Sequence, residues 1–165
     1  MIIQGFAPIA ARDARLLILG SMPGAASLEA GQYYAHGRNA FWPIMGELFG
    51  AGPDKSYAER QAILLSKGVA VWDVLQFCQR EGSLDANIKA EVPNEFAGFF
   101  AAHPHIRRIA LNGGKAAKSF EKYAAPHCPP SAVATPVPST SPAYASMTFV
   151  QKCELWQAAL LVPTA

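Results

Sequence analysis

The segment 14-ARLLILGSMPG-24 decides the fold class of this chain. Residues 16–19 form a short apolar run that ends at Gly20, a pattern typical of a strand buried on both faces of a parallel sheet. The Ser-Met-Pro-Gly that follows predicts a sharp exit from the sheet. Glycines at such an exit let the backbone approach a ligand closely, and the amides can form an anion-binding nest. A plain strand exit explains the same residues equally well.

Three more extended segments follow, and helical patterns separate them. The extended segments are 69-VAVWDVL-75, 106-IRRIALNGG-114 and 131-SAVATPVPSTSP-142. Helices are predicted from about residue 41, over 56–68, 93–103 and 115–124, and over about 144–161. The last helix carries an apolar stripe of Phe149, Cys153, Trp156 and Leu160. This alternation predicts an α/β fold, a three-layer α/β/α sandwich with a short, mostly parallel four-stranded central sheet. A chain of 165 residues is predicted to form a single domain over 1–165.

Composition excludes several classes of protein. The formal net charge is only +2, so any contact with nucleic acid must be local rather than an electrostatic coat. No apolar run approaches the roughly 20 residues of a membrane span, and the N-terminal sequence lacks the basic segment of a secretion signal. The three cysteines, Cys78, Cys128 and Cys153, lie far apart, which favours reduced thiols, a cytoplasmic location and no metal cluster.

The segment 33-YYAHGRNAFW-42 contains more polar and aromatic groups than a helix start requires. Tyr33 and Tyr34 offer a stacking face for a flat heterocycle. Asn39 either caps the following helix or holds a water or base edge with its amide. His36 and Arg38 would then lie near the charged parts of a ligand, and a solvated loop is their simpler interpretation.

The other unusual residues also follow predicted strands. Ligands in parallel sheets bind beyond the carboxyl ends of the strands, where Asp73, the 112-NGGK-115 turn and the 138-PSTSP-142 loop are expected. Asp73, in an otherwise apolar strand, is either a functional carboxylate or a backbone cap. Lys115 at a helix start and the hydroxyls of Ser139, Thr140 and Ser141 suit phosphate groups. A simple strand-to-helix turn explains Lys115 equally well, and a rigid surface connector explains the three hydroxyl residues. The polar residues of 82-GSLDANI-88 are predicted to organise a loop.

Together these segments resemble the uracil-DNA glycosylase superfamily. The first motif of that family has the form G-x-x-P, which 20-GSMPG-24 fits, and the second is a loop with proline and serine before the last helix, which 138-PSTSPA-143 resembles. The stretch 33–45 resembles the mismatch-specific uracil glycosylases. These three segments, taken together with 72-WDV-74 and 82-GSLDANI-88, are most similar to the hypoxanthine (deoxyinosine) glycosylase branch. The resemblance covers roughly residues 5–160.

The resemblance implies a monofunctional DNA N-glycosylase that flips out a deaminated base and leaves an abasic site. Many relatives carry Asp or Asn at the third position of the first motif, where this chain has Met22. The resemblance to the hypoxanthine branch implies instead that Asn39 is the catalytic residue. Relatives place an asparagine that reads the flipped base at the position of Asp73. No metal or organic cofactor is required, and the expected partner of this monomer is DNA with a deaminated base.

The predicted site residues form three groups. Asn39 is catalytic; Gly20, Ser21, Met22, Tyr33, Tyr34 and Asp73 bind the base; and Lys115, Ser139, Thr140 and Ser141 bind DNA. A uracil or thymine mismatch glycosylase, and a catalytically silent DNA-binding module of the same fold, stay open as alternatives.

Overall fold

The computed structural model describes residues 2–161. Within them the strands are β1 (Ile2–Gln4), β2 (Leu16–Gly20), β3 (Val69–Asp73), β4 (Leu75–Gln79), β5 (Lys89–Pro93), β6 (Arg108–Asn112) and β7 (Val133–Val137). The α-helices are α1 (Ala25–Ala30), α2 (Phe41–Phe49), α3 (Tyr57–Ser66), α4 (Phe96–Ala102), α5 (Gly114–Ser119) and α6 (Phe149–Leu161). A π-helical turn at Phe120–Ala124 continues α5, and short 3₁₀ turns lie at Asp85–Asn87 and Ala125–His127.

The central sheet has four strands in the order β3-β2-β6-β7, and every pair is parallel. Gly20 pairs with Asp73, and Asn112 pairs with Val137. The predicted sheet is therefore confirmed. Its register brings the carboxyl ends of all four strands to one edge, so the loops that follow them meet there.

Alternating side chains of the central strands divide the core into two layers. Leu17 and Leu19 of β2 pack with Phe96 and Phe100 of α4, whereas Ile18 packs with Trp156 of α6 and other residues of the opposite layer. Successive side chains of a strand point to opposite faces, so a wholly apolar strand needs helices on both sides. The predicted three-layer α/β/α arrangement is confirmed.

A second sheet, which the sequence did not predict, extends the fold. It is antiparallel, in the order β1-β4-β5. The segment 69–75, predicted as one strand, breaks at Val74, because the amide of Asn94 donates to the carbonyls of Asp73 (2.8 Å) and Leu75 (3.2 Å). Asp73 therefore ends β3 instead of lying inside it.

Two helix starts show how side chains fix the boundaries. Ser56 accepts a hydrogen bond from the backbone amide of Glu59 (3.2 Å) at the start of α3, as the Ser-x-x-Glu pattern predicted. The prediction that the last helix begins near residue 144 was wrong. The hydroxyl of Thr148 accepts from the backbone amide of Gln151 (3.1 Å), and the backbone amide of Thr148 donates to the side-chain oxygen of Gln151 (2.9 Å). This capping box starts α6 at Phe149.

The predicted apolar stripe of α6 is only partly buried. Trp156 and Leu160 lie in the core, whereas Phe149 is exposed at the start of the helix. Among residues 2–161, no helix has both the length and the apolar character to cross a bilayer.

Candidate functional site

A cavity of about 340 Å³ opens at the carboxyl edge of the central sheet. This volume is at the small end of the range for small-molecule sites, about 300–1,000 Å³. Ten of the predicted residues line it: Gly20, Ser21, Met22, Tyr33, Tyr34, Asn39, Asp73, Ser139, Thr140 and Ser141. Segments far apart in the sequence therefore meet at one site, as the parallel topology requires.

The exit of β2 brings backbone and side chains into unusually close contact. A Cβ atom on Gly20 would lie 2.5 Å from Oδ1 of Asp73 and 2.8 Å from the hydroxyl oxygen of Tyr34. Any larger residue here would force the side chains of Asp73 and Tyr34 to move. Beyond it, the N–H groups of Ser21, Met22 and Gly24 make no hydrogen bond within the described residues, so they stay available to a ligand.

Asp73 places a carboxylate deep in the cavity. The residue is only 4 % exposed, and its Oδ2 atom has no hydrogen-bond partner among the described residues. Burial, reinforced by the nearby charge of Asp85 and opposed by that of Arg80, raises the pKa of Asp73 to about 7. A backbone cap would occupy the side-chain oxygens, so the unpartnered Oδ2 favours the functional interpretation.

The two tyrosines have different surroundings. The Tyr33 hydroxyl donates to the carbonyl of Ala7 (2.8 Å), and its ring packs edge-on against Phe6, so Tyr33 anchors the wall of the cavity. Tyr34 stacks on Phe41 at a centroid distance of 3.9 Å and receives a hydrogen bond from Asn112 (3.3 Å). Burial, followed by the charge of Asp73, raises the pKa of Tyr34, so its hydroxyl stays protonated. Tyr34 also has a positive φ of 54°, a strained conformation for an aromatic residue.

Asn39 caps a turn and lines the cavity at the same time. Its Oδ1 accepts from the amide of Phe41 (2.9 Å), the first residue of α2, but the N-cap position of this helix is Ala40, so Asn39 supports the helix start from one position before the cap. Its own backbone amide donates to the carbonyl of His36 (2.9 Å). The side-chain NH₂ is left for another partner. Nδ1 of His36 accepts from the amide of Arg38 (3.1 Å), so a neutral imidazole carries its proton on Nε2. His36 also lines the cavity.

Asn112, which was not among the predicted site residues, ties the wall of the cavity together. Its side chain donates to the hydroxyl of Thr140 (3.0 Å) and accepts from the Thr140 backbone amide (3.0 Å). A polar residue at the end of an apolar strand, as at Asp73, was the signal that could have identified it. Thr140 is only 1 % exposed, and these bonds hold its loop in place; its contact with DNA stays a prediction.

The structure does not bring Lys115 to the cavity. Its ammonium group pairs with Glu91, which also accepts from the hydroxyl of Tyr123 (2.8 Å). Lys115 therefore lies outside the lining of the cavity, and its DNA-binding role stays a prediction. Ser139 and Ser141 are half-buried at the cavity, and their hydroxyl oxygens accept from the backbone amides of Ser141 and Ala143, respectively (3.2 Å each).

The loop 80–88 forms a further wall of the cavity through Ser83, Leu84 and Asp85, and side-chain hydrogen bonds tie this loop to the β2 exit. The Ser21 hydroxyl donates to Oδ1 of Asp85 (2.6 Å), and Ser83 accepts from the amide of Ala25 (2.8 Å). Buried Arg80 donates to the carbonyl of Pro23 (2.6 Å). Asp85 was predicted to organise its loop; the structure adds that it lines the cavity. Over residues 2–161, no group of His, Cys, Asp and Glu side chains is arranged to hold a metal ion.

Comparison with known proteins gives three findings. A family model described as the uracil DNA glycosylase superfamily matches residues 7–160. A protein of Methanosarcina barkeri named hypoxanthine DNA glycosylase is 35 % identical over 113 residues, which cover 68 % of this chain and 72 % of that protein. A protein of Methanosarcina acetivorans with the same name is 36 % identical over 117 residues, which cover 70 % of this chain and 74 % of that protein. A solution NMR structure from M. acetivorans, provisionally described as a uracil DNA glycosylase, superposes with a TM-score of 0.81 at 31 % identity over 96 % of both chains.

Proposed function

The chain belongs to the uracil DNA glycosylase superfamily, and on this premise we propose that it excises hypoxanthine from deoxyinosine in DNA. The protein is a DNA glycosylase, a hydrolase of N-glycosyl bonds. The choice of base depends on one observation, the buried Asp73 carboxylate whose Oδ2 has no partner among the described residues. An unpaired buried carboxylate is costly, and a ligand that donates to it recovers part of that cost.

Hypoxanthine supplies the complementary donor. Its N1–H donates to Asp73, while the free amides of Ser21, Met22 and Gly24 meet an acceptor on the same base. Adenine has a lone pair at N1, which a carboxylate repels, so undamaged adenine is rejected. Tyr34, held between Phe41 and the cavity, stacks on the purine and contributes on the order of 1–3 kcal/mol.

Bond cleavage follows from the same arrangement. The C1′–N9 bond breaks with its electron pair going to the purine, which leaves an oxocarbenium-like sugar. Backbone amides directed at the purine stabilise its negative charge. Asn39 orients the water that attacks C1′; the product is an abasic site and the free base takes up a proton. The half-buried hydroxyls of Ser139 and Ser141 contact the flanking phosphates.

The proposal extends to the setting of the enzyme. Eversion of the target nucleotide costs a few kcal/mol, less for a mispaired base, and the cavity receives the everted base. We propose that the chain acts as a monomeric single domain in the cytoplasm, where its three free cysteines stay reduced.

A panel of labelled duplexes tests the proposal. Each duplex carries one deoxyinosine, uracil, xanthine or mismatched thymine, and alkali cleavage after incubation reports abasic sites. We expect deoxyinosine to be cleaved fastest. Preferential cleavage at uracil or mismatched thymine would support the mismatch glycosylase instead, and duplex binding without any abasic product would support a silent DNA-binding module.

A further inference from the structure

We propose that Asp85 is a second catalytic residue, the general base that accepts a proton from the water oriented by Asn39. The inference rests on the proposed glycosylase function and assigns a role to a side chain of the 80–88 wall. Asp85 lines the same cavity as Asn39 and Asp73 and lies 64 positions from Ser21, which holds it by a hydrogen bond of 2.6 Å.

Asp73 and Asp85 lie at different depths in the cavity, and this difference assigns them different roles. Asp73 is 4 % exposed at the floor of the cavity, whereas Asp85 is exposed at its mouth. An everted nucleotide inserts its base first and leaves its sugar at the mouth. Asp73 therefore faces the purine, and Asp85 faces the sugar carbon at which the water attacks.

The tether leaves part of the Asp85 carboxylate available. The Ser21 hydroxyl donates to Oδ1, and the structure records no further side-chain partner for this carboxylate within residues 2–161. Oδ2 can therefore accept from water. The cross-links Ser83–Ala25 and Arg80–Pro23 hold the segment that precedes Asp85 against the β2 exit, and the Ser21 hydroxyl holds Asp85 itself, so the carboxylate is fixed in advance of substrate binding.

The first motif itself provides no base. Met22 has a thioether, which is a weak acceptor and does not take up a proton, and its side chain packs in the core. The amide of Asn39 orients water but does not accept its proton either. Hydrolysis nevertheless releases one proton from the water as its oxygen bonds to C1′. Asp85 receives that proton and passes it to solvent, and its negative charge stabilises the cationic sugar before attack.

A loop-organising role is the competing explanation, and Asp85→Asn separates the two. The amide oxygen of asparagine still accepts from Ser21, so the tether survives while the basic group is lost. We expect single-turnover excision of deoxyinosine to fall by about 100-fold or more, as for loss of a general base, with an unchanged Tm and unchanged affinity for a duplex with an abasic site. Asp54→Asn, an exposed aspartate that does not line the cavity, is the matched control and should keep wild-type rates.

Ser21→Ala completes the test because it removes the tether and keeps the carboxylate. We expect a smaller loss, about tenfold, from poorer positioning. Wild-type rates in Asp85→Asn, or a loss in Ser21→Ala as large as in Asp85→Asn, would overturn the role of Asp85 while leaving the glycosylase intact. Wild-type protein that produces no abasic site would overturn the proposed function and the role of Asp85 with it.

Discussion

Asp73 is the residue at which stability and function conflict most clearly. Its Oδ2 is unpartnered among the described residues, and burial raises its pKa from the usual 3.8 to about 7. At about 1.36 kcal/mol per pKa unit, this rise corresponds to about 4 kcal/mol of destabilisation once the group is ionised. Such a cost is typical of functional sites, where a ligand supplies the missing hydrogen bond.

The first prediction concerns stability as a function of pH. Because the folded-state pKa of Asp73 is raised, its contribution to the free energy of unfolding is fully present below about pH 4 and is lost as the pH rises through about 7. Asp73→Asn removes this dependence. The free energy of unfolding of the variant, minus that of the wild type, should therefore be larger at pH 8 than at pH 4 by up to about 4 kcal/mol. Urea unfolding at both pH values measures the difference. An equal difference at the two pH values would contradict the ionisation of a buried Asp73.

The second prediction concerns base selection by the same variant. An asparagine amide both donates and accepts, so the preference for a base with N1–H should weaken. We expect the excision rate on deoxyinosine to fall by about 10- to 100-fold, in line with the 1.5–3 kcal/mol of a hydrogen bond to a charged group, while duplex binding persists. Rates on duplexes with deoxyinosine, uracil and xanthine provide the measurement. An unchanged order and ratio of the three rates would exclude Asp73 as the base reader.

The third prediction concerns Asn39. Asn39→Ala removes both the proposed water contact and the hydrogen bond to the amide of Phe41. Excision should fall by about 100-fold or more, and Tm should fall slightly because one hydrogen bond is worth about 1 kcal/mol. Asn39→Asp keeps the oxygen that accepts from Phe41, so it separates the two losses: we expect wild-type Tm with altered excision. Full single-turnover activity of Asn39→Ala would rule out the catalytic role.

At the scale of elements, the strands that carry the site were predictable and the second sheet was not. The apolar runs of β2, β3 and β6 end at Gly20, Asp73 and Asn112, and such breaks in hydrophobicity mark where a parallel strand leaves the sheet. In contrast, β1 has three residues, and β5 reads KAEVP, with little apolar character. Their pairing depends on tertiary contacts with β4 rather than on local pattern.

The site shows the same division between pattern and tertiary context. The chain segments at the cavity were predictable because parallel strands place their carboxyl ends together. The hydrogen bonds that assign roles to individual residues were not predictable, because they join residues far apart in the sequence. The bond between Asn112 and Thr140 spans 28 positions, and the bond between Lys115 and Glu91 spans 24. The late start of α6 had a visible signal, the Thr-x-x-Gln of its capping box.

The fourth prediction concerns α3, whose residues do not line the cavity. Ser56→Ala removes the side chain that accepts from the amide of Glu59, so the free energy of unfolding should fall by about 1 kcal/mol. Deoxyinosine excision should not change. Ser66→Ala in the last turn of the same helix is the matched control, because its exposed hydroxyl only donates to the carbonyl of Ile63. Equal losses of stability in the two variants, measured by urea unfolding, would argue against the cap.

At the scale of the whole molecule, the distribution of charge limits how DNA is held. A net charge of +2 in 165 residues provides little general attraction to a polyanion. Lys115 is engaged by Glu91, and two carboxylates, Asp73 and Asp85, line the cavity itself. Recognition must therefore depend on insertion of the base and on a few phosphate contacts. We expect exposed Arg38, one residue before Asn39, to make one of them.

The fifth prediction follows from this distribution. If about three phosphates are neutralised, the logarithm of the binding constant should fall with the logarithm of salt concentration at a slope of about −3, much shallower than for proteins that coat DNA. Arg38→Gln should reduce the steepness of this slope by about one, as expected for loss of one phosphate contact. Lys67→Gln, an exposed cation at the far end of α3, is the control and should leave the slope unchanged. Titration of a duplex with an abasic site at several salt concentrations measures all three slopes. A steep slope in wild type, or the same decrease in both variants, would show that DNA is held by a diffuse positive surface and not by the mouth of the cavity.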